Sequence, residues 1–130
     1  MRKRYTKQEL FSVPILSLAF IGDGVHTLWA RENAFIPTDK NNALHATASH
    51  LCCAATQAKA AKKLEPLLTE DERFIYKKGK GATVGSLPKH ATLMEYKLAT
   101  ALEAVVGFLY LLGEDERWKE LLEAVYKEEE

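Results

Sequence analysis

Apolar residues recur along this chain at three- and four-residue spacings, and no alternation of period two survives beyond a few positions. The pattern therefore predicts helices throughout and no sheet. Residues 7–13 read as a short helix, stopped before Pro14. Ile15 to about Phe35 is the next, with Leu18, Ile21, Val25, Leu28 and Trp29 expected on one buried side. Residues 43–64 read as a single alanine-rich helix, its small side chains permitting close helix–helix approach, ended by Pro66. Thr69 and Glu72 have the spacing of a capping box, and the helix they open carries Phe74, Ile75 and Tyr76 before dissolving at Gly79. A long loop over residues 79–90 follows, with three glycines and a proline. Helix resumes from about Leu93 to Leu112, and a last amphipathic helix runs from Glu114 to about Tyr126. The fold class expected is all-α, in one domain.

Two positions break the pattern. Asp23 sits inside Leu-Ala-Phe-Ile-Gly-Asp-Gly-Val, and Glu103 inside Leu-Ala-Thr-Ala-Leu-Glu-Ala-Val-Val-Gly-Phe-Leu. A carboxylate buried without a partner costs several kcal/mol or is forced neutral. Neither run holds a lysine or arginine to pair with it. A metal ion is one partner that would keep both charges; buried hydroxyls, or a reach to the surface, are the other. Small residues at Ala19, Gly22, Ala99 and Gly107 would let the two helices approach until the carboxylates converge. An all-oxygen site of that kind suits Mg²⁺ or Mn²⁺, and the chemistry that follows is phosphodiester hydrolysis.

Composition adds little and excludes some classes. The chain has 130 residues, 47% hydrophobic and 28% charged, with 18 basic and 18 acidic residues. No apolar run reaches the roughly 18–20 residues of a membrane span, and no secretory signal pattern follows the basic start Met1-Arg2-Lys3-Arg4, so a cytoplasmic protein is expected. The adjacent Cys52 and Cys53 cannot staple the fold and read as reduced packing residues. His26 lies three residues after Asp23 and could orient it, though a structural histidine is the plainer reading. Charge distribution is more telling than net charge. From Arg73 to Met94 the bases are Arg73, Lys77, Lys78, Lys80 and Lys89, with no acid among them. Lysines on such a segment could follow a phosphate backbone without reading sequence.

These residues carry a resemblance. Phe20-Ile21-Gly22-Asp23-Gly24-Val25 resembles the signature helix of ribonuclease III catalytic domains, and Ala101-Leu102-Glu103-Ala104-Val105-Val106-Gly107 is similar to that family's FEALLG element. The order, the separation and the length resemble the compact Mini-III branch, which lacks a C-terminal double-stranded-RNA-binding domain. The resemblance implies a single ribonuclease III-like catalytic domain over residues 1–130 and a homodimeric helical bundle. Asp23 and Glu103 would be the metal ligands and the catalytic pair, with Mg²⁺ as cofactor and Mn²⁺ as a substitute. Lys77, Lys78, Lys80 and Lys89 would be RNA-binding residues. It further implies cleavage of double-stranded RNA, maturation of precursor large-subunit ribosomal RNA, and a large-subunit ribosomal protein as helper. The chain departs from the broad family at Ala19 and Thr100, where larger relatives keep two more acids, as the Mini-III branch also does. Its loop departs from the branch pattern RGRNAKSGTTPKN at Gly81 and Thr83. A helical dimer that binds structured RNA without cutting it is the competing expectation.

Overall fold

A computed structural model describes residues 2–83, 85–87 and 91–127, and among them there is no strand. Seven α-helices follow in order: α1 Lys7–Phe11, α2 Ile15–Ala34, α3 Asn41–Cys52, α4 Ala54–Leu64, α5 Glu70–Lys80, α6 Leu93–Leu112 and α7 Asp115–Tyr126, with a 3-10 turn at Glu65–Leu67. Helix starts are written in the sequence. Thr6 with Glu9, Thr69 with Glu72 and Thr92 with Glu95 form reciprocal capping boxes that satisfy the free amides opening α1, α5 and α6. Helix α6 stops at Gly113, whose φ of 83° lies in the left-handed region that glycine enters without penalty.

Helix α6 is the axis of the molecule, packed by α2, α4 and α5. Between Leu98 and Leu109 every residue is buried except Glu103. Its crossing with α2 is a contact of backbone on backbone. A Cβ placed on Gly22 would stand 1.7 Å from the carbonyl oxygen of Glu103, and one on Gly107 would stand 1.9 Å from that of Leu18. No larger residue fits at either position without separating the helices. The far side of α6 takes α5 through Gly79, whose added Cβ would lie 2.9 Å from the Ala101 Cα. Tyr76 donates its hydroxyl to the Ala61 carbonyl at 3.1 Å, tying α5 to α4. Arg117 on α7 grips the buried Glu72 with two hydrogen bonds, 2.9 and 3.0 Å, and also donates to the Leu67 carbonyl.

Three expectations need correction. The buried stripe of α2 is Leu18, Ala19, Gly22, His26, Trp29, Ala30 and Ala34, while Leu28 is exposed and Ile21 and Val25 are only partly covered. At the crossing itself the inner face carries Gly22, because it must meet α6 at backbone distance. The alanine-rich segment is two helices rather than one. Cys53 is extended, with ψ near 152°, so α3 packs on α2 while α4 turns across α6. Helix α5 continues through Gly79 to Lys80, which puts Lys80 on its last turn with Lys77 and Lys78 rather than on the loop. The basic last turn opposes the negative end of that helix dipole, and so favours the extension.

Candidate active site

The α2–α6 crossing sets Asp23 and Glu103 side by side. Gly22 rests on the backbone of Glu103 itself, so the residues that follow and face it, Asp23 on α2 and Glu103 on α6, emerge at the same level of the bundle. Both line an open cleft of about 740 Å³, walled by Leu16, Ala19 and Phe20 from α2, Cys52 to Ala55 and Gln57 from the α3–α4 corner, and Tyr96, Ala99 and Thr100 from α6. Asp23 is exposed on the cleft wall, contrary to the burial expected of it, and Glu103 is half-buried below. The expected convergence is real; the expected burial applies to one partner.

The two carboxyl groups are within hydrogen-bonding reach. Burial, reinforced by the hydrogen bond and charge of Asp23, pushes Glu103 up to about 9, against an opposing bond donated by Gln57. Two facing carboxylates in a partly dry site cannot both ionise unless a cation lies between them. Among the described residues no lysine or arginine lines this cleft. Nor does any group of three His, Cys, Asp or Glu side chains gather there or elsewhere among the described residues. The donor set is therefore a carboxylate pair with the amide of Gln57 beside it. Ala19 and Thr100, also in the cleft, add no carboxylate to it, and the Thr100 hydroxyl is turned back to the Tyr96 carbonyl at 2.9 Å. An oxygen-only pair with open space around it fits a hard divalent ion that keeps most of its water.

The other singled-out residues fall out as follows. His26 is fully buried and does not orient Asp23. Its Nε2 lies 2.6 Å from the Tyr126 hydroxyl and its Nδ1 3.4 Å from the Gln57 amide nitrogen. Burial pushes its pKa down to about 4, the charge of Asp23 opposing. Cys52 is partly buried against it, whereas Cys53 is exposed on the cleft wall and is no packing residue. Lys77 and Lys78 are exposed and Lys80 partly so. Among the described residues none of the three pairs with an acid, and none lines the cleft. Lys89 lies outside the described residues. Gln57 is the site residue that its helix did not single out as functional. Its signal was an amide on the inward side of α4, among Ala58, Ala61 and Leu64, where a buried polar group needs a partner.

The ribonuclease III domain model matches residues 16–114, a span that holds both acids, and the chain belongs to the ribonuclease III family. Within that family its relatives are Mini-ribonuclease 3 proteins. It is 39% identical to the Mini-ribonuclease 3 of Thermoanaerobacter sp. over 121 residues, covering 91% of this chain and 84% of that one. It is 36% identical to that of Brevibacillus brevis over 125 residues, covering 92% and 93%. A crystal structure of a Fusobacterium nucleatum protein superimposes with a TM-score of 0.83 at 32% identity, covering 90% of this chain and 96% of that one. The all-α architecture expected from the sequence is that of this family.

Proposed function

We propose that this chain is a Mg²⁺-dependent endoribonuclease specific for double-stranded RNA, with Asp23 and Glu103 as both metal ligands and catalytic pair. The endoribonuclease activity follows from its family. The observation that carries the rest is the contact of two carboxylates from separate helices, in an open cleft, with no basic side chain of the described residues lining it. Bound Mg²⁺, or Mn²⁺ in its place, would supply the charge that activates water and offsets the negative charge gathering on the phosphate. Asp23, exposed on the wall, meets ions and phosphate first. Glu103, lower and drier, would help to hold the cation and stay ionised beside it.

A second copy of the chain completes the reading. Leu16 and Phe20, 47% and 77% exposed beside the cleft, form an apolar surface on α2 that supports a homodimer. Two clefts related by a two-fold axis would cut both strands of one duplex and leave a short 3′ overhang. A-form RNA offers shape and backbone rather than base edges. Lys77, Lys78 and Lys80 at the end of α5, with Lys89, would neutralise its phosphates. The substrate class is the duplex stem of precursor large-subunit ribosomal RNA, cut in the cytoplasm with a large-subunit ribosomal protein as helper. No helix among the described residues is long and apolar enough to cross a membrane. The whole chain acts as a single catalytic domain.

The test is incubation of the purified protein with a perfect duplex and with its separate strands, in Mg²⁺, followed by mapping of product ends. The reading expects cleavage of the duplex alone, with staggered ends. Binding without cleavage would favour a non-catalytic RNA-binding dimer instead, and equal cleavage of single strands would remove the duplex specificity.

A further inference from the structure

Beneath the acid pair, a line of polar side chains runs from the cleft into the core. Gln57, 5% exposed on α4, lines the cleft beside Glu103, close enough that its amide opposes the upward push on that carboxyl. The Gln57 amide nitrogen lies 3.4 Å from His26 Nδ1, His26 Nε2 lies 2.6 Å from the Tyr126 hydroxyl, and that hydroxyl lies 3.4 Å from the Leu51 carbonyl. Each bond has a sense that the partners assign. His26 Nδ1 faces the Gln57 amide nitrogen, which can only donate, and, at 3.8 Å, the Cys52 thiol, which can donate as well. Nδ1 is therefore the acceptor, Nε2 carries the proton and donates it to Tyr126, and Tyr126 donates onward to Leu51. With the imidazole in that tautomer, the Gln57 amide nitrogen gives one hydrogen to His26 and has its second free to offer to Glu103 across the cleft. No buried side-chain nitrogen or oxygen among the described residues is left without a partner.

We propose that Gln57 is a positioning residue for Glu103, and that His26 and Tyr126 fix the amide orientation that lets it act so. A reversed amide would turn its carbonyl oxygen toward the carboxylate, and a proton on His26 Nδ1 would demand that reversal. The chain of four side chains comes from α7, α2, α4 and α6, so the C-terminal helix contributes to the geometry of a cleft it does not line. Positioning of this kind matters here because Glu103 has only one acid beside it in the cleft, Asp23. Groups that orient a metal ligand through its second oxygen typically change metal affinity 10- to 100-fold when removed.

The inference rests on Glu103 being a metal ligand, and the experiment separates the two. Mn²⁺ binding by electron paramagnetic resonance, without RNA, would be measured on the full chain and on Gln57→Leu, Tyr126→Phe, the double variant and Asp23→Asn. Single-turnover cleavage of a duplex would be measured beside it. Gln57→Leu should weaken Mn²⁺ binding about 10-fold and slow cleavage at limiting Mg²⁺ at least as much, with RNA affinity unchanged. Tyr126→Phe, which removes only a hydroxyl, should move both quantities in the same direction by less. The double variant should be no worse than Gln57→Leu alone, because both break one chain. If Gln57→Leu does not fold, Tyr126→Phe and Gln57→Asn carry the test through the same two readouts. Unchanged Mn²⁺ affinity in the folded variants, or losses that simply add, would overturn the positioning role. Asp23→Asn binding Mn²⁺ as well as the parent would overturn the metal reading, and the positioning role with it.

Discussion

The α2–α6 crossing should tolerate no side chain, and Gly22→Ala puts one there. The new Cβ would stand 1.7 Å from the Glu103 carbonyl oxygen, 2.6 Å from its carbon and 2.9 Å from the Gly107 nitrogen. All three are backbone atoms within helices, so no rotamer relieves the clash. Even the 3.0 Å that real Cβ contacts respect requires α6 to retreat by about 1.3 Å. Replacing a helical glycine gains about 1 kcal/mol of propensity. Overpacking a rigid contact typically costs about 1–3 kcal/mol, and more where backbone must move. Since α6 is the centre of the core, a net loss of about 2 kcal/mol or more is expected. The retreat also parts Asp23 from Glu103, and misplacement near 1 Å costs roughly 100-fold in rate. Gly24→Ala is the internal control: two residues along the same helix, it would meet nothing within 4 Å and should be neutral or gain up to about 1 kcal/mol. Urea unfolding and single-turnover cleavage of a duplex read both effects. If Gly22→Ala matches Gly24→Ala in stability and rate, the two acids are not held by this crossing.

Gly107→Ala, whose Cβ would lie 1.9 Å from the Leu18 carbonyl oxygen, should reproduce both losses from the other side of the crossing. His26 has its folded pKa lowered to about 4 by burial, so its contribution to stability is present above about 6.5 and is lost as pH falls toward 4. Thermal melts across that window should fall by up to about 3 kcal/mol, with a shallower slope in His26→Phe. Glu72→Gln leaves Arg117 of α7 half-satisfied; a loss of about 2 kcal/mol in urea is expected, and less than 0.5 kcal/mol would mean the pair is screened. Replacing Lys78, Lys80 and Lys89 with alanine should weaken duplex binding and flatten its salt dependence by roughly one for each phosphate no longer neutralised. An unchanged slope would take these lysines out of the RNA surface.

Much of the fold was legible because its signals are local. Thr69 with Glu72 and Pro14 marked their helix ends in advance, and Thr6 with Glu9, Thr92 with Glu95 and Gly113 prove to be local signals of the same kind. The corner at Cys53 was hidden for the opposite reason. Alanines favour helix on both sides of it, and the turn comes from α3 and α4 packing on different partners. Asp23 and Glu103 stood out because acids disturb an apolar period, and the glycines nearby announced a close crossing. Which acid would be buried was decided by the rotation of each helix: α2 leaves Phe20, Asp23 and Leu28 outward while Leu18, Gly22, His26 and Trp29 face in. The His26–Gln57–Tyr126 line was invisible to spacing, since its members lie 31 and 100 residues apart and only packing brings them together.

Everything proposed for the cleft depends on Asp23 and Glu103 jointly holding the divalent ion that cuts RNA. Duplex cleavage by the parent chain, Asp23→Asn and Glu103→Gln, in Mg²⁺ and after chelation, puts that dependence to the test, with circular dichroism to show each chain folded. Cleavage is expected from the parent in Mg²⁺ alone, and none from either folded variant. Cleavage by a folded variant at the parent's rate, or by the parent in chelator, would refute the two-carboxylate metal site.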